Sequence, residues 1–211
     1  MIKAVIFDLD GTLVQSEEII MEGFSYAMAK HLPQVIINKD DETNFLGQTL
    51  NRSFIKYTKD IETLKKLIET YKEYTNVRMA NGLKTYPNAY KIIKYLKDQN
   101  VKVGLVTSKT ESVAIENLET TKLDGLFDVI IGYNSVSKHK PDPEGLLKAL
   151  EVLNVNKENA IYIGDHENDI KAAKSAKMLS CGVTYSKRLN EVLLENPTYV
   201  IDDLINIEDI I

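Results

Sequence analysis

With 211 residues the chain can bury one large core, or a core carrying an insertion. A formal net charge of −5 without any basic block excludes the pattern of a phosphate-backbone binder, so no nucleic-acid partner is expected. The single cysteine, Cys181, allows no internal disulfide, no signal peptide opens the chain, and no apolar run approaches the about 18 residues of a membrane span. A cytoplasmic protein away from membranes is expected, and nothing demands more than a monomer.

The first predicted element is a strand, Ala4-Val5-Ile6-Phe7, which runs into Asp8-Leu9-Asp10-Gly11-Thr12-Leu13. Residues two apart share a face of a strand, so an extended segment sends the Asp8 and Asp10 carboxylates the same way before Gly11 lets the chain turn. Carboxylates that close repel unless a proton or a hard divalent cation such as Mg²⁺ shares them. An Asx-type turn at a strand end is the structural alternative.

From Ser16 to about Ala80 the strand pattern gives way to helical spacing: Ile20, Phe24, Ala27 and His31, then Ile61, Leu64, Leu67 or Ile68, Tyr71 and Tyr74. The Lys-rich stretch from Lys56 to Lys72 is interleaved with Glu62 and Glu69 and reads as a solvated helix face. Helices inserted directly after the first strand leave from the carboxyl end of a sheet, where ligands bind, and would cover the site as a cap. The expected connections lie near Gln15 and at Ala80-Asn81-Gly82, where Asn-Gly is a turn signal. This predicts a helical cap domain over residues 16–81 and a core domain made of residues 1–15 and 82–211.

Beyond residue 82, apolar runs at residues 101–106, 128–131, 160–163 and 179–183, with a weaker one at 199–201, predict strands buried on both faces. Between them run helical stripes: Ala89, Ile92, Ile93 and Leu96; Leu146, Leu147, Leu150 and Leu153; Ile170, Ala173 and Ala176. The fold class is therefore α/β, a doubly wound, Rossmann-like parallel sheet with an all-helical insertion. Cys181, beside Gly182-Val183, reads as a buried small hydrophobe rather than a nucleophile.

Polar groups recur where these strands end. The strand at 101–106 runs into Thr107-Ser108-Lys109, His139-Lys140-Pro141 precedes a helix, and the strand at 160–163 runs into Gly164-Asp165, with Asp169 four residues on. Ser108 with Glu111 fits a capping box, a role compatible with phosphate binding at the same helix start. Pro141 holds Lys140 extended, with Asp142 as the expected N-cap and Pro143 as the first helical residue. Asp165 and Asp169 bracket another helix start, where the dipole favours carboxylates whatever their function.

Taken together, Asp8-Leu9-Asp10-Gly11-Thr12-Leu13, Thr107, Lys140 and Gly164-Asp165 with Asp169 resemble the motifs of the haloacid dehalogenase-like (HAD) hydrolase superfamily, in its order. The helical insertion resembles the C1 cap of the subfamily that contains phosphoglycolate phosphatases, β-phosphoglucomutases and small pyrophosphatases. Tyr86-Pro87-Asn88 resembles a Tyr-Pro-Gly turn of those proteins, with asparagine in place of glycine. The resemblance implies a Mg²⁺-dependent phosphatase acting on a small phosphorylated metabolite. Asp8 would be its nucleophile, Asp10 its acid and base, and Lys140 its charge neutraliser. Mg²⁺ would be held by Asp8, the Asp10 backbone carbonyl and Asp165, with Asp169 in support. Thr107, Ser108 and Lys109 would bind the phosphoryl group, and Arg52, in the loop 47–53, would meet a second anionic group. Asp10 separates the chain from the dehalogenases, which lack that residue. A β-phosphoglucomutase-type mutase and an inorganic pyrophosphatase are the alternatives.

Overall fold

The computed structural model describes all 211 residues. Strand β1 (Ala4–Phe7) lies inside a sheet of six parallel strands in the order β3-β2-β1-β4-β5-β6, with β2 Lys102–Val106, β3 Val129–Ile131, β4 Ala160–Gly164, β5 Leu179–Val183 and β6 Tyr199–Ile201. Every β1 side chain is fully buried. Val5 and Phe7 join the larger core on one face and Ala4 and Ile6 the smaller core on the other, as the two-residue period of a strand requires. Burial on both faces explains why the strands read as continuous apolar runs.

Helices α1 (Glu17–His31), α2 (Lys39–Phe45), α3 (Leu50–Phe54) and α4 (Ile61–Gly82) form the insertion after β1. Then follow α5 (Ala89–Asp98), α6 (Glu111–Thr121), α7 (Glu144–Leu153), α8 (Glu167–Ser175) and α9 (Leu189–Leu194) among the strands. The insertion has an aromatic nucleus: Phe24 stacks on Phe45 with centroids 4.5 Å apart, and Phe45 meets Phe54 edge-on at 5.1 Å. Its two connections to the sheet lie side by side. Gln15 N–H donates to Lys84 O at 2.8 Å, and Tyr86 N–H donates to Leu13 O at 2.9 Å. No helix is long and apolar enough to cross a membrane.

Several local expectations are corrected. Asn81-Gly82 is no turn but the last turn of α4, where Asn81 Nδ2 donates to Val77 O at 2.7 Å and Leu83 caps the helix. Helix α7 starts at Glu144 with Pro143 as its N-cap, one residue later than expected, although Asp142 Oδ1 still accepts from Glu144 N–H at 3.0 Å. No Ser108–Glu111 capping box forms, because α6 begins at Glu111 itself and Thr110 is the N-cap. Leu147 is exposed, since Gly145 and Ala149 let α7 lie close to the sheet on the adjoining face. At the Tyr-Pro-Gly-like turn, Asn88 has φ of 61°, a left-handed conformation that asparagine tolerates better than most residues, and its side-chain amide donates to Asp203 at 2.9 Å.

Candidate active site

In the strand order 3-2-1-4-5-6 the connections diverge on either side of β1, which opens a crevice beyond its carboxyl end. Asp8 follows β1, Thr107 follows β2 and Asp165 follows β4, so the register of three neighbouring strands brings these residues together. Lys140 reaches in from the β3–α7 connection, and Asp169 from the first turn of α8.

Asp8, Asp165 and Asp169 are buried, and each offers an oxygen within 4.8 Å of the others'. The Lys140 side chain, 6 % exposed, places Nζ 2.7 Å from Asp169 Oδ1 and 3.0 Å from Asp8 Oδ1. It also donates to the Tyr162 hydroxyl at 3.0 Å, and that hydroxyl donates to Val106 O at 2.8 Å. The Lys140–Asp8 contact is an ion contact without hydrogen-bond alignment, so Asp8 Oδ1 is a buried acceptor with no donor.

These groups strain one another electrostatically. Burial, opposed by Lys140 and reinforced by Asp169 and Asp10, pushes the Asp8 carboxyl up to about 7. Burial and the charges of Asp169 and Asp8 raise Asp165 well above the usual carboxylate range. Burial alone would lower the Lys140 ammonium, but Asp169 and Asp8 outweigh it and hold it well above the ordinary lysine value. The site is thus a dry cluster with more carboxylates than cations. An orphaned carboxylate oxygen and three converging acidic side chains fit a hard divalent cation with oxygen ligands. Gly11, at φ of 71°, leaves this space open: a Cβ there would lie 2.1 Å from Asp165 Oδ2.

Asp10 is arranged differently from the other three acids. Its Oδ1 accepts from Lys109 Nζ at 2.6 Å and from the Ser16 hydroxyl at the root of the insertion. Lys109 also donates to Asn117 Oδ1 at 2.7 Å. The Asp10 side chain therefore lies outside the carboxylate triad, and only its backbone carbonyl remains for the expected ligand role. Thr107 Oγ1 accepts from Lys109 N–H at 3.2 Å, and the Ser108 hydroxyl donates to Gly47 O at 3.4 Å, touching the insertion.

Between the insertion and the strand ends lies a cavity of about 210 Å³. Asp8, Asp10, Thr107, Ser108 and Lys109 face it from the sheet side, and Gln48, Asn51, Lys72 and Asn76 from the insertion. Arg52 is not brought to it; its side chain is exposed on α3 and lines no part of the cavity wall. Lys72, read from the sequence as part of a solvated face, is exposed in keeping with that reading and also lines the cavity. The signal was its place four residues after Ile68 on one stripe of α4.

Two further residues at this junction carried no sequence signal. The His166 ring lies under Gly47, where φ is 66° and a Cβ would stand 2.3 Å from the ring. His166 Nδ1 accepts from Asn168 N–H at 3.0 Å, which puts the ring proton on Nε2, and burial lowers its pKa. Its neighbour Glu167 pairs instead with Arg188 through two bonds of 2.8 and 2.9 Å, and Arg188 also donates to Asn44 of the insertion at 2.7 Å. Asn44 and Arg188 are 144 positions apart, so no spacing rule links them.

Residues 5–183 match the family model of the haloacid dehalogenase-like hydrolases. The chain belongs to that family and is a hydrolase. Pyrophosphatase PpaX of Listeria welshimeri is 33 % identical over 204 residues, covering 96 % of this chain and 93 % of its own. Pyrophosphatase PpaX of Bacillus cereus is 31 % identical over 205 residues, with the same coverage of both chains. Among solved structures, a Streptococcus pneumoniae hydrolase of the haloacid dehalogenase-like family has a TM-score of 0.84 at 23 % identity, covering 99 % of this chain and 98 % of its own.

Proposed function

We propose that this enzyme is a Mg²⁺-dependent phosphatase that hydrolyses a small phosphorylated metabolite of phosphoglycolate size through an aspartyl-phosphate. One observation carries the reading: the Asp8 carboxylate lies at the end of β1, at the wall of a partly open cavity, with Lys140 at 3.0 Å and the acids Asp165 and Asp169 beside it.

An Asp8 oxygen attacks phosphorus and the bond to the leaving oxygen breaks. Asp10 donates a proton to that oxygen, then takes one from the water that cleaves the acyl phosphate and restores Asp8. Lys140 offsets charge on the nucleophile and the transferring group, and its pairing with Asp169 and Tyr162 fixes it in place. Thr107, Ser108 and Lys109 with the backbone N–H groups around them receive the phosphoryl oxygens. Asp8, Asp165 and the Asp10 carbonyl would hold Mg²⁺, with Asp169 in support; the ion would neutralise phosphoryl charge. The insertion, over residues 16–81, acts as a cap that excludes water and selects the leaving group. A lone, buried thiol whose pKa burial pushes up to about 12 suits a reducing cytoplasm.

Pyrophosphate is the second reading, favoured by the relatives called pyrophosphatase PpaX that match along nearly the whole chain. The deciding experiment measures phosphate release from phosphoglycolate, pyrophosphate, hexose phosphates and nucleotides with Mg²⁺ and again in excess chelator. Mg²⁺-dependent turnover of one of the first two supports the proposal. Release from none of them, or undiminished release in chelator, overturns it.

A further inference from the structure

Helix α6 carries a polar side chain on its buried face. Ala114, Asn117 and Leu118 are its buried residues, and Asn117 is only 5 % exposed. Asparagine is a weak helix former and is costly to bury unless its amide is hydrogen-bonded. Its place follows from the helical period. Thr110 and Val113 line the cavity from the start of α6, and Asn117, four residues after Val113, lies behind that wall on the same face. From there its side-chain oxygen accepts from Lys109 Nζ at 2.7 Å.

A lysine ammonium sits on a flexible stem and has three N–H donors to direct. In Lys109 all three have a target. One reaches Asp10 Oδ1 at 2.6 Å and a second reaches Asn117 Oδ1 at 2.7 Å. The third meets the Met79 sulfur at 3.5 Å in the cavity wall, a weak acceptor that a phosphoryl oxygen outcompetes. Two acceptors fix the rotation of an ammonium. Of these two, Asp10 is the group to be positioned, so the fixed point is Asn117, which is held by the helix. Asp10 Oδ1 is then engaged by Lys109 and by the Ser16 hydroxyl, which leaves Oδ2 for the proton that the mechanism assigns to this residue.

We propose that Asn117 is a positioning residue for the acid–base step: by holding Lys109 Nζ it fixes the Asp10 carboxylate with Oδ2 free for the leaving-group oxygen. This rests on the phosphatase reading and adds to it a residue that does not itself line the cavity.

The test compares kcat/KM of the Mg²⁺-loaded enzyme for ethyl phosphate and for 4-nitrophenyl phosphate. For either ester kcat/KM covers transfer to Asp8, and only the ethoxide needs a proton to leave. Asn117→Leu keeps the branched shape and removes the acceptor. It should lower kcat/KM at least about tenfold more for ethyl phosphate than for 4-nitrophenyl phosphate, since misplacing a catalytic group by a fraction of an ångström is enough for such a loss. Should Asn117→Leu fail to fold, Asn117→Ala carries the same comparison. Asn117→Asp, which keeps an acceptor oxygen in the same place, should recover most of the difference. In an Asp10→Asn background Asn117→Leu should add little to the loss on ethyl phosphate, because both substitutions disable one proton transfer. Equal losses on the two esters, fully additive losses in the double variant, or no loss overturn the proposal. If the wild type releases phosphate from neither ester nor any other substrate, the phosphatase reading fails. The hold of Asn117 on Lys109 is then decided by reductive methylation with formaldehyde, followed by peptide mass spectrometry. Lys109 should react much more slowly than the exposed Lys66, and Asn117→Leu should speed Lys109 alone. An unchanged Lys109 rate overturns the proposal whatever the reaction is.

Discussion

In the proposed mechanism Asp8 has to be ionised to attack phosphorus, yet it sits where burial raises its carboxyl to about 7. Lys140 opposes that rise, and under the same proposal its charge would serve again as the phosphoryl group transfers. Asp8→Asn keeps the shape and removes the nucleophile, so turnover should fall by at least about a thousandfold. Its melting temperature in chelator should be no lower than the wild type's, since one of three crowded acids is gone; retained turnover in a phosphate-release assay would exclude covalent attack by Asp8. Asp10 calls for a different comparison. Asp10→Asn should slow hydrolysis of an alkyl phosphate far more than phosphorylation of the enzyme by an activated aryl phosphate, because only the alkoxide needs a proton. Rapid-quench measurement of both steps checks this, and equal losses would mean that Asp10 acts through geometry alone.

At the scale of elements, the insertion is joined to the strand ends by contacts that depend on a glycine. Gly47 carries φ of 66° and lies flat on the His166 ring, while its carbonyl accepts from Ser108. Gly47→Ala adds backbone strain of about 1–3 kcal/mol and a methyl group 2.3 Å from that ring. Lifting the 47–51 loop relieves the clash without disturbing the sheet. The expected outcome is a loss of kcat/KM of at least about tenfold with only a modest fall in melting temperature. Steady-state kinetics and calorimetric melting check it, and unchanged kinetics would mean that the loop's seating does not matter to the reaction. The short helices α2 and α3 around this loop went unread in the sequence for a physical reason. Helix α2, Lys-Asp-Asp-Glu-Thr-Asn-Phe, buries only Phe45 and is held by a capping box between Asn38 and Asp41, so it shows no apolar period.

Across the whole molecule, the acid cluster couples stability to pH and, with the proposed Mg²⁺, would couple it to metal. The folded Asp8 and Asp165 carboxyls titrate above their unfolded values, so their contribution to stability is complete below about pH 4. That contribution is lost as pH rises through about 7 for Asp8. A divalent cation competes with those protons, so Mg²⁺ should raise the melting temperature more at pH 8 than at pH 5.5. Scanning calorimetry with and without chelator measures the difference; a gain independent of pH would argue that Mg²⁺ binds elsewhere. What the sequence by itself determined is what local chemistry encodes. Doubly buried strands appear as unbroken apolar runs, carboxylates stand two apart at a strand end, and polar residues close the following strands. These signals suffice for the parallel sheet, the helical insertion, and Asp8, Thr107, Lys140, Asp165 and Asp169 as one set. Only the tertiary structure decided which insertion residues face the cavity. That depends on the rotation of α4 about its axis and on the seating of the 47–51 loop, set by packing between Phe24, Phe45, Phe54 and Tyr71 and by the contact of Gly47 with His166. The same packing left Arg52 away from the cavity and set Lys72, though exposed, along its wall, a choice that residue spacing cannot express because it is made by surfaces far apart in the chain.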